Sequence, residues 1–338
     1  MKKRIWFNRW FSAAYHFIEA IKYNDDGVAY QIYGTHPNED TVYFQVCDHS
    51  ETEPELEEEE YVDFCLDYCL KHNIDIFIPY HHALAISGSI SRFHAAGISV
   101  LVSDNYSLMD MISHKGKLYE NFSRNALTRL VPEYRVVNTA KEFAEAYQML
   151  KAKGKTVCLK PDSGRGGEGF RIIRGSKDSI EDLFGHLSHE MAYEDVYDIL
   201  LTVPRFDSLI VMEYLEGYEY SIDCLAFNGK LLAAVPRKKA GGRIRSLENV
   251  PELMQIALEI NQELNIPYVF NIQVKYSKGV PKLLEINPRM SGGLHISSLS
   301  GINFPYLAVK LLTTGGADVP VPNLRVTATH IEKSVVLS

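Results

Sequence analysis

The sequence predicts an α/β chain in two parts, a doubly wound parallel sheet followed by an α+β region. Strands and helices alternate along the first third, which implies right-handed crossovers and parallel pairing. Farther along, strands follow one another over short loops, which implies antiparallel pairing. The length, 338 residues, suits about two domains at roughly 150 residues each.

Each element of the first part has its own signal. Arg4–Phe7 reads as a strand. Ala13–Tyr23 reads as a helix, with Ala14, Phe17, Ile18 and Ile21 at helical spacing. Val28–Tyr33 and Thr41–Val46 are expected strands, Tyr61–Lys71 a helix and Asp75–Tyr80 an apolar strand. Leu84–Ala95 is an expected helix and Ile98–Val102 a buried strand, and the domain is expected to close at residue 113. Seven glutamates lie in Glu51–Glu60, just ahead of a helix whose positive dipole end they suit.

In the second part, helices are expected over Lys117–Leu127 and Ala140–Lys151, around the strand Tyr134–Val137. Strands are expected at Thr156–Lys160, Gly169–Arg174, Leu209–Tyr214, Tyr218–Phe227 and Lys230–Pro236. Pro251–Leu264 is an expected helix, Tyr268–Tyr276 with Lys282–Ile286 a hairpin, and Tyr306–Thr313 a late helix.

Composition excludes several classes. A net charge of −8 argues against a protein that lives on nucleic-acid phosphates. No apolar run approaches the roughly 18 residues a membrane span needs. The charged, aromatic start of the chain lacks a signal peptide's apolar core. Five scattered cysteines suit reduced thiols, so a cytoplasmic location is expected. Cys65 and Cys69, four apart on a helix, read as buried thiols rather than a zinc site.

The chemistry concentrates in three segments. Gly164, Gly166, Gly167 and Gly169 match the letters of a dinucleotide fingerprint, but that fingerprint needs a helix to start inside the loop. Here Phe-Arg-Ile-Ile-Arg follows, which reads as a strand. The segment is therefore a strand–glycine loop–strand flap of the kind that covers phosphates. Lys160 ends the strand before it, where a cation can neutralise phosphate oxygens. Glu285, Asn287 and Arg289 alternate along an extended segment and so face one side. A hairpin turn centred on Gly279 would put Gln273 opposite Glu285, and three oxygen ligands would suit a hard cation such as Mg²⁺. Between these segments, Val211–Tyr220 passes from one strand into another, where Met212 and Leu215 could pack on an adenine ring.

Together these pieces resemble the ATP-grasp superfamily, most closely its carbamoyl-phosphate-synthetase-like branch. The layout from Trp6-Phe7-Asn8-Arg9 onward is also similar to ATP-grasp proteins associated with tellurium-resistance operons. The resemblance implies a pre-ATP-grasp domain over residues 1–113 and an ATP-grasp domain over 114–338. The latter would comprise an A subdomain over about 114–210 and a C-terminal subdomain over about 211–338. It implies ATP and Mg²⁺ as cofactors, with Mn²⁺ as an alternative metal. Lys115 and Lys160 would contact ATP phosphates, although His114 stands where the family usually has Asp, so the choice between Lys115 and Lys117 stays open. Gly164, Gly166, Gly167 and Gly169 would form the flexible loop. Glu213, Tyr214 and Leu215 would form the adenine hinge, and Glu219 would meet the ribose. Gln273, Glu285 and Asn287 would hold the metal, and Arg289, with Lys160, would act on the transferred phosphate.

The reaction so implied is an ADP-forming ligation, in which a carboxylate is activated as an acyl phosphate and attacked by an amine or other nucleophile. The alternatives are a carbamoyl-phosphate-synthase-like partial reaction and a non-catalytic ATP-binding regulator. The partners implied are small molecules, with no nucleic acid and no membrane, and a homodimer is compatible with the family. The basic stretch Arg237–Arg245 reads either as a solvated loop or as part of an acceptor site for an anionic substrate. Gly292, Gly293 and His295 follow the metal segment and could shape the same pocket.

Overall fold

A computed structural model describes residues 2–164, 167–176, 188–332 and 334–337. The chain falls into two compact units. The first comprises Met1–Asp110, Tyr218–Gln273 and Ile286–Ser338, and the second Met111–Gly217 and Val274–Glu285.

The first unit opens on a fully parallel five-stranded sheet of order β3-β2-β1-β4-β5. Its strands are β1 (Lys3–Asn8), β2 (Tyr30–His36), β3 (His49–Thr52), β4 (Ile76–Ile78) and β5 (Ser99–Val100). Alternation along β1 sends Ile5 and Phe7 to one face, against the helix Ala14–Lys22. Trp6 goes to the other face, stacked on Phe77 at 4.2 Å and on Tyr68 of the helix Glu58–His72 at 4.5 Å. Helices thus cover both faces, as a doubly wound sheet requires. Helix Ala14–Lys22 buries Ala14, Phe17, Ile18 and Ile21, the spacing seen in the sequence. Helix Glu58–His72 carries Glu58, Glu59 and Glu60 in its first turn. Cys65 and Cys69 are buried on it, and burial pushes both thiols up.

Two expectations for this part fail locally. Thr41–Val46 is not a strand: Val42–Val46 is a 3-10 turn, and β3 begins only at His49. The turn folds over Gly34, where a Cβ would fall 2.7 Å from the Cys47 sulfur, and the Tyr43 hydroxyl donates to the Thr35 carbonyl at 2.6 Å. Tertiary packing here overrides the β-propensity of Val, Tyr and Phe. Leu84–Ala95 is two short helices, Ala83–Gly88 and Ile90–Ala95, that meet at Ser89.

The second unit holds the sheet β6-β10-β7-β8-β9. Its strands are β6 (Tyr134–Val137), β7 (Val157–Pro161), β8 (Arg171–Arg174), β9 (Glu190–Ala192) and β10 (Leu209–Glu213). Pairing is antiparallel except between β8 and β9. Helix Ala140–Ala152, started by a Thr139–Glu142 capping box, packs Phe143, Tyr147 and Leu150 onto this sheet's core. The expected helix Lys117–Leu127 is instead Lys115–Phe122, followed by a 3-10 turn at Ala126–Leu130. Its start is fixed from outside the helix, because Asp162 accepts the Gly116 N–H at 2.6 Å.

A six-stranded sheet of order β15-β14-β11-β12-β13-β16 follows. Its strands are β11 (Glu219–Phe227), β12 (Lys230–Lys239), β13 (Arg245–Glu248), β14 (Tyr268–Ser277), β15 (Val280–Asn287) and β16 (Arg325–Ala328). β14 and β15 turn through Lys278 and Gly279, both at positive φ. β12 runs three residues past the expected strand end, which brings Arg237 into the sheet. Late helix Phe304–Thr314 is capped by Asn303 and tied to the start of the chain. Within the first unit, Asn303 donates to the Ala20 carbonyl at 2.7 Å, and Tyr306 and Lys310 each reach Asp26 at 2.6 Å.

Candidate functional site

The second unit gathers several of the expected residues. Lys160 ends β7, and its ammonium donates to the Leu284 carbonyl at 3.1 Å. Tyr119 braces the same segment through its hydroxyl, 3.1 and 2.8 Å from the carbonyls of Leu283 and Leu284. One helical turn earlier, Lys115 pairs with Glu285 at 3.5 Å and approaches the carbonyls of Asp162 and Gly164 at 3.4 Å. Lys115 is 7% exposed whereas Lys117 is exposed, so only Lys115 joins this cluster. Although part of the Lys160 side chain stays accessible, burial of its ammonium, next to the like charge of Lys115, pulls its pKa down to about 8. The nearby Glu285 only partly offsets that pull. Two crowded ammonium groups, Lys115 at a helix start and Lys160 at a strand end, suit an anion with several oxygens.

The glycine loop leads from β7 into β8, a strand, so the dinucleotide fingerprint is excluded on topology. Gly164, Gly167 and Gly169 all sit at positive φ. At Gly169 a Cβ would fall 2.8 Å from the Pro161 ring, so only glycine lets the chain close back there. Gly166 lies outside the described residues.

The hinge segment ends β10. Glu213 is buried, accepts the Glu133 N–H at 3.0 Å and pairs with Lys155 at 2.6 Å, which raises Lys155. Its carboxylate is therefore committed within the protein. Leu215 is buried, and Tyr214 lies 4.8 Å beneath the Lys275 ammonium and 6.4 Å from the Phe170 ring.

In the first unit, Gln273 is half-buried on β14. Asn287 ends β15, two residues beyond Glu285, so the two share a strand face. Its Oδ1 accepts from Arg289 at 3.3 Å, and the Arg289 guanidinium lies over Tyr80 at 5.3 Å and Phe11 at 5.7 Å. Glu219 pairs with Lys239. Gln273, Glu285 and Asn287 offer one carboxylate and two amide oxygens. Such oxygens are, by residue type, donors that Mg²⁺ accepts where phosphate oxygens complete its shell.

Sequence reasoning missed two residues. Asp162 caps the Lys115 helix, and its only sequence signal is its place directly after Lys160-Pro161. Arg237, expected on a flexible basic loop, is 4% exposed. It meets the fully buried Asp223 at 3.2 Å and Ser297 at 3.1 Å. Asp223 also accepts from Asn271, Ser291 and Ser297 at 2.6–2.7 Å, so the buried charge pair is fully hydrogen-bonded. The guanidinium crosses Gly293, where a Cβ would fall 2.3 Å away. His295 stacks on His16 at 4.5 Å, and burial with the His16 and His330 rings pulls it down to about 4. It is neutral and weakly basic at pH 7, which suits a structural role better than that of a base.

Comparison with known proteins shows what the chain is similar to. Residues 205–334 match the family described as ATP-grasp in the biosynthetic pathway with Ter operon. Mouse carnosine synthase 1 is 26% identical over 148 residues, which is 40% of this chain and 18% of the relative. The chain thus spans less than a fifth of that relative's length. Among solved structures, the biotin carboxylase domain of Hydrogenobacter thermophilus 2-oxoglutarate carboxylase, with MgADP and bicarbonate, aligns with a TM-score of 0.64 and 17% identity. That alignment covers 96% of this chain and 72% of the other. The L-amino acid ligase of Bacillus licheniformis aligns with a TM-score of 0.63 and 14% identity, over 92% and 74% of the two chains. At such identities the structures share a fold. No described helix is long and apolar enough to cross a membrane. The family match covers residues 205–334, under half of the chain, while the fold shared with these solved structures extends over nearly all of it.

Proposed function

We propose that the protein is an ATP- and Mg²⁺-dependent, ADP-forming ligase that joins a carboxylate to an amine or similar nucleophile. The observation that carries this reading is the cluster of Lys115, Lys160 and Glu285, in which crowded lysines stand beside a carboxylate on the expected metal strand. The names of similar proteins, a carnosine synthase and an L-amino acid ligase, support a ligase that acts on amino acids.

In this reading Lys115 and Lys160 bind and orient the ATP phosphates, and the Gly164–Gly169 flap covers them and excludes water. Tyr214 and Leu215 line the adenine, and Glu219 is assigned to the ribose. Gln273, Glu285 and Asn287 would hold Mg²⁺, which would supply charge neutralisation to the phosphates. A substrate carboxylate oxygen attacks the γ-phosphorus, the bond to the β,γ-bridging oxygen breaks, and ADP leaves. Arg289 offers its planar fork to the oxygens of the transferred phosphoryl group. The nucleophile's nitrogen then attacks the acyl carbon, loses a proton and expels inorganic phosphate. Positioning and charge do most of the work in such a transfer.

Hydroxylamine tests this without knowledge of the natural nucleophile. The protein with Mg-ATP, hydroxylamine and single amino acids should yield a hydroxamate, ADP and phosphate in equal amounts. ATP binding with no hydroxamate from any acid would favour a non-catalytic nucleotide binder.

A further inference from the structure

The acidic run ahead of the helix Glu58–His72 is only partly used by pairs within the protein. Glu53 and Glu55 are paired with Arg9, and Glu58 lies 3.6 Å from His82. Glu51 and Glu60 instead line a cleft of about 600 Å³ within the first unit. One wall is β3, the edge strand of the parallel sheet, and the other is the helix Glu58–His72. Glu60, Asp63 and Asp67 stand three and four residues apart, so they form one stripe along the helix. Lys71 closes that stripe.

Tyr68 also lines the cleft and holds an unused hydroxyl. It is 4% exposed, and its hydroxyl takes no hydrogen-bond partner among the described residues. Its ring stacks on Trp6 at 4.5 Å and lies 4.3 Å from the His72 ring, so packing alone holds it in place. Burial and the charge of Glu51 push its pKa up, so it meets a ligand as a neutral phenol. A buried hydroxyl without a partner costs free energy, and a ligand that reaches it recovers the bond.

Four carboxylates line the cleft against one lysine. Glu51 lies 3.8 Å from Lys71 and Asp63 reaches Arg92 at 2.6 Å, but both pairs are solvent-exposed and hold weakly. His72, 3.3 Å from Glu51, is pulled down by burial and adds no charge at pH 7. Glu60 and Asp67 have no cationic partner among the described residues. No three His, Cys, Asp or Glu among the described residues come together as a metal site. The negative charge is thus spread along the cleft, which suits several linked cations rather than one ion. Helix geometry sets neighbouring Cβ atoms of the stripe about 5–6 Å apart, and Glu60 about 10 Å from Asp67 along the axis. Ammonium groups three or four methylenes apart repeat on the same scale. Phe64, half-buried in the lining, offers a ring to the methylenes and to an ammonium.

We propose that the cleft between β3 and the helix Glu58–His72 binds a linear polyamine. Its ammonium groups pair with Glu60, Asp63 and Asp67 in turn, and one of them donates to the Tyr68 oxygen. The site uses none of the residues assigned to ATP or Mg²⁺, so it stands apart from the ligase reading.

Calorimetric titration of the full chain with spermidine at low ionic strength tests this. One molecule is expected to bind per chain, and Mg²⁺ and the singly charged butylamine should bind at least about tenfold more weakly. Glu60→Gln with Asp67→Asn should weaken spermidine binding about tenfold. Tyr68→Phe, which keeps the ring on Trp6, should weaken it about fivefold. Lys71→Gln, which removes the opposing charge, should tighten it about threefold, a change that loss of folding cannot produce. Glu194→Gln with Asp195→Asn, an equal charge change on the exposed face of the helix Tyr193–Leu201 in the second unit, should leave it unchanged. No binding, equal affinity for Mg²⁺ or butylamine, or the same loss in that control as in the cleft pair would overturn the site. Full affinity in Tyr68→Phe, or a tetralysine peptide that binds more tightly than spermidine, would overturn the polyamine as its ligand.

Discussion

Lys160 is the residue where charge and burial are most at odds. Its ammonium is desolvated, faces Lys115, and titrates near 8 rather than at the usual lysine value of 10.5. Below pH 8 the folded protein carries the full cost of that buried charge. Between about pH 8 and 10.5 the unfolded chain holds the proton and the folded chain has lost it, so this residue makes stability rise with pH across that window. Phosphate would favour the charged form, so binding of ATP near pH 8 should take up a proton. Calorimetry in two buffers of different ionisation enthalpy should show that uptake, and Lys160→Met should abolish it and weaken ATP binding. Equal heats in both buffers would mean that the ammonium does not meet phosphate. Lys160, Glu285 and Arg289 were legible as candidates because each stands in a local pattern, a strand end or an even spacing. Asp162 and Arg237 were not, because their partners lie 46 and 14 residues away in sequence.

Elements were legible where one face is buried in a regular period, and illegible where another part of the chain sets the geometry. The helix Ala14–Lys22 shows its buried face plainly, whereas Val42–Val46 has strand-like residues yet turns over Gly34. The start of the Lys115 helix belongs to the second kind. His114 is extended with no side-chain cap of its own, and Asp162 supplies the missing acceptor to Gly116. Asp162→Ala should therefore act as the loss of an N-cap and cost about 1 kcal/mol. The test is chemical denaturation alongside ATP affinity. Both should fall, because the same helix end carries Lys115. Unchanged stability would show that the helix start is set without the carboxylate.

For the whole molecule, the alternation of strands and helices and the later short loops were enough to foresee a parallel sheet followed by α+β structure. The grouping of residues 218–273 and 286–338 with the first 110 was not, because it depends on contacts such as Asn303 to Ala20 that leave no periodic trace. A global measurement can still separate the nucleotide readings. A ligand bound only by the folded state stabilises it by about 2.7 kcal/mol at a hundredfold excess over its Kd. Mg²⁺ alone should do little, since among Gln273, Glu285 and Asn287 there is one carboxylate, and the described residues hold no cluster of three His, Cys, Asp or Glu ligands. ATP alone should raise the melting temperature modestly, because Lys115 and Lys160 remain for its phosphates. Mg-ATP should raise it most, since phosphate oxygens complete the metal's shell and the metal relieves phosphate repulsion. NAD should do nothing, because β8, a strand, follows the glycine loop where the fingerprint needs a helix. A thermal scan with Mg²⁺, ATP, Mg-ATP and NAD decides the matter. A shift with Mg²⁺ alone as large as with Mg-ATP would mean a resident metal site independent of nucleotide. A shift with NAD and none with Mg-ATP would remove the assignment of Lys115, Lys160 and the glycine flap to ATP.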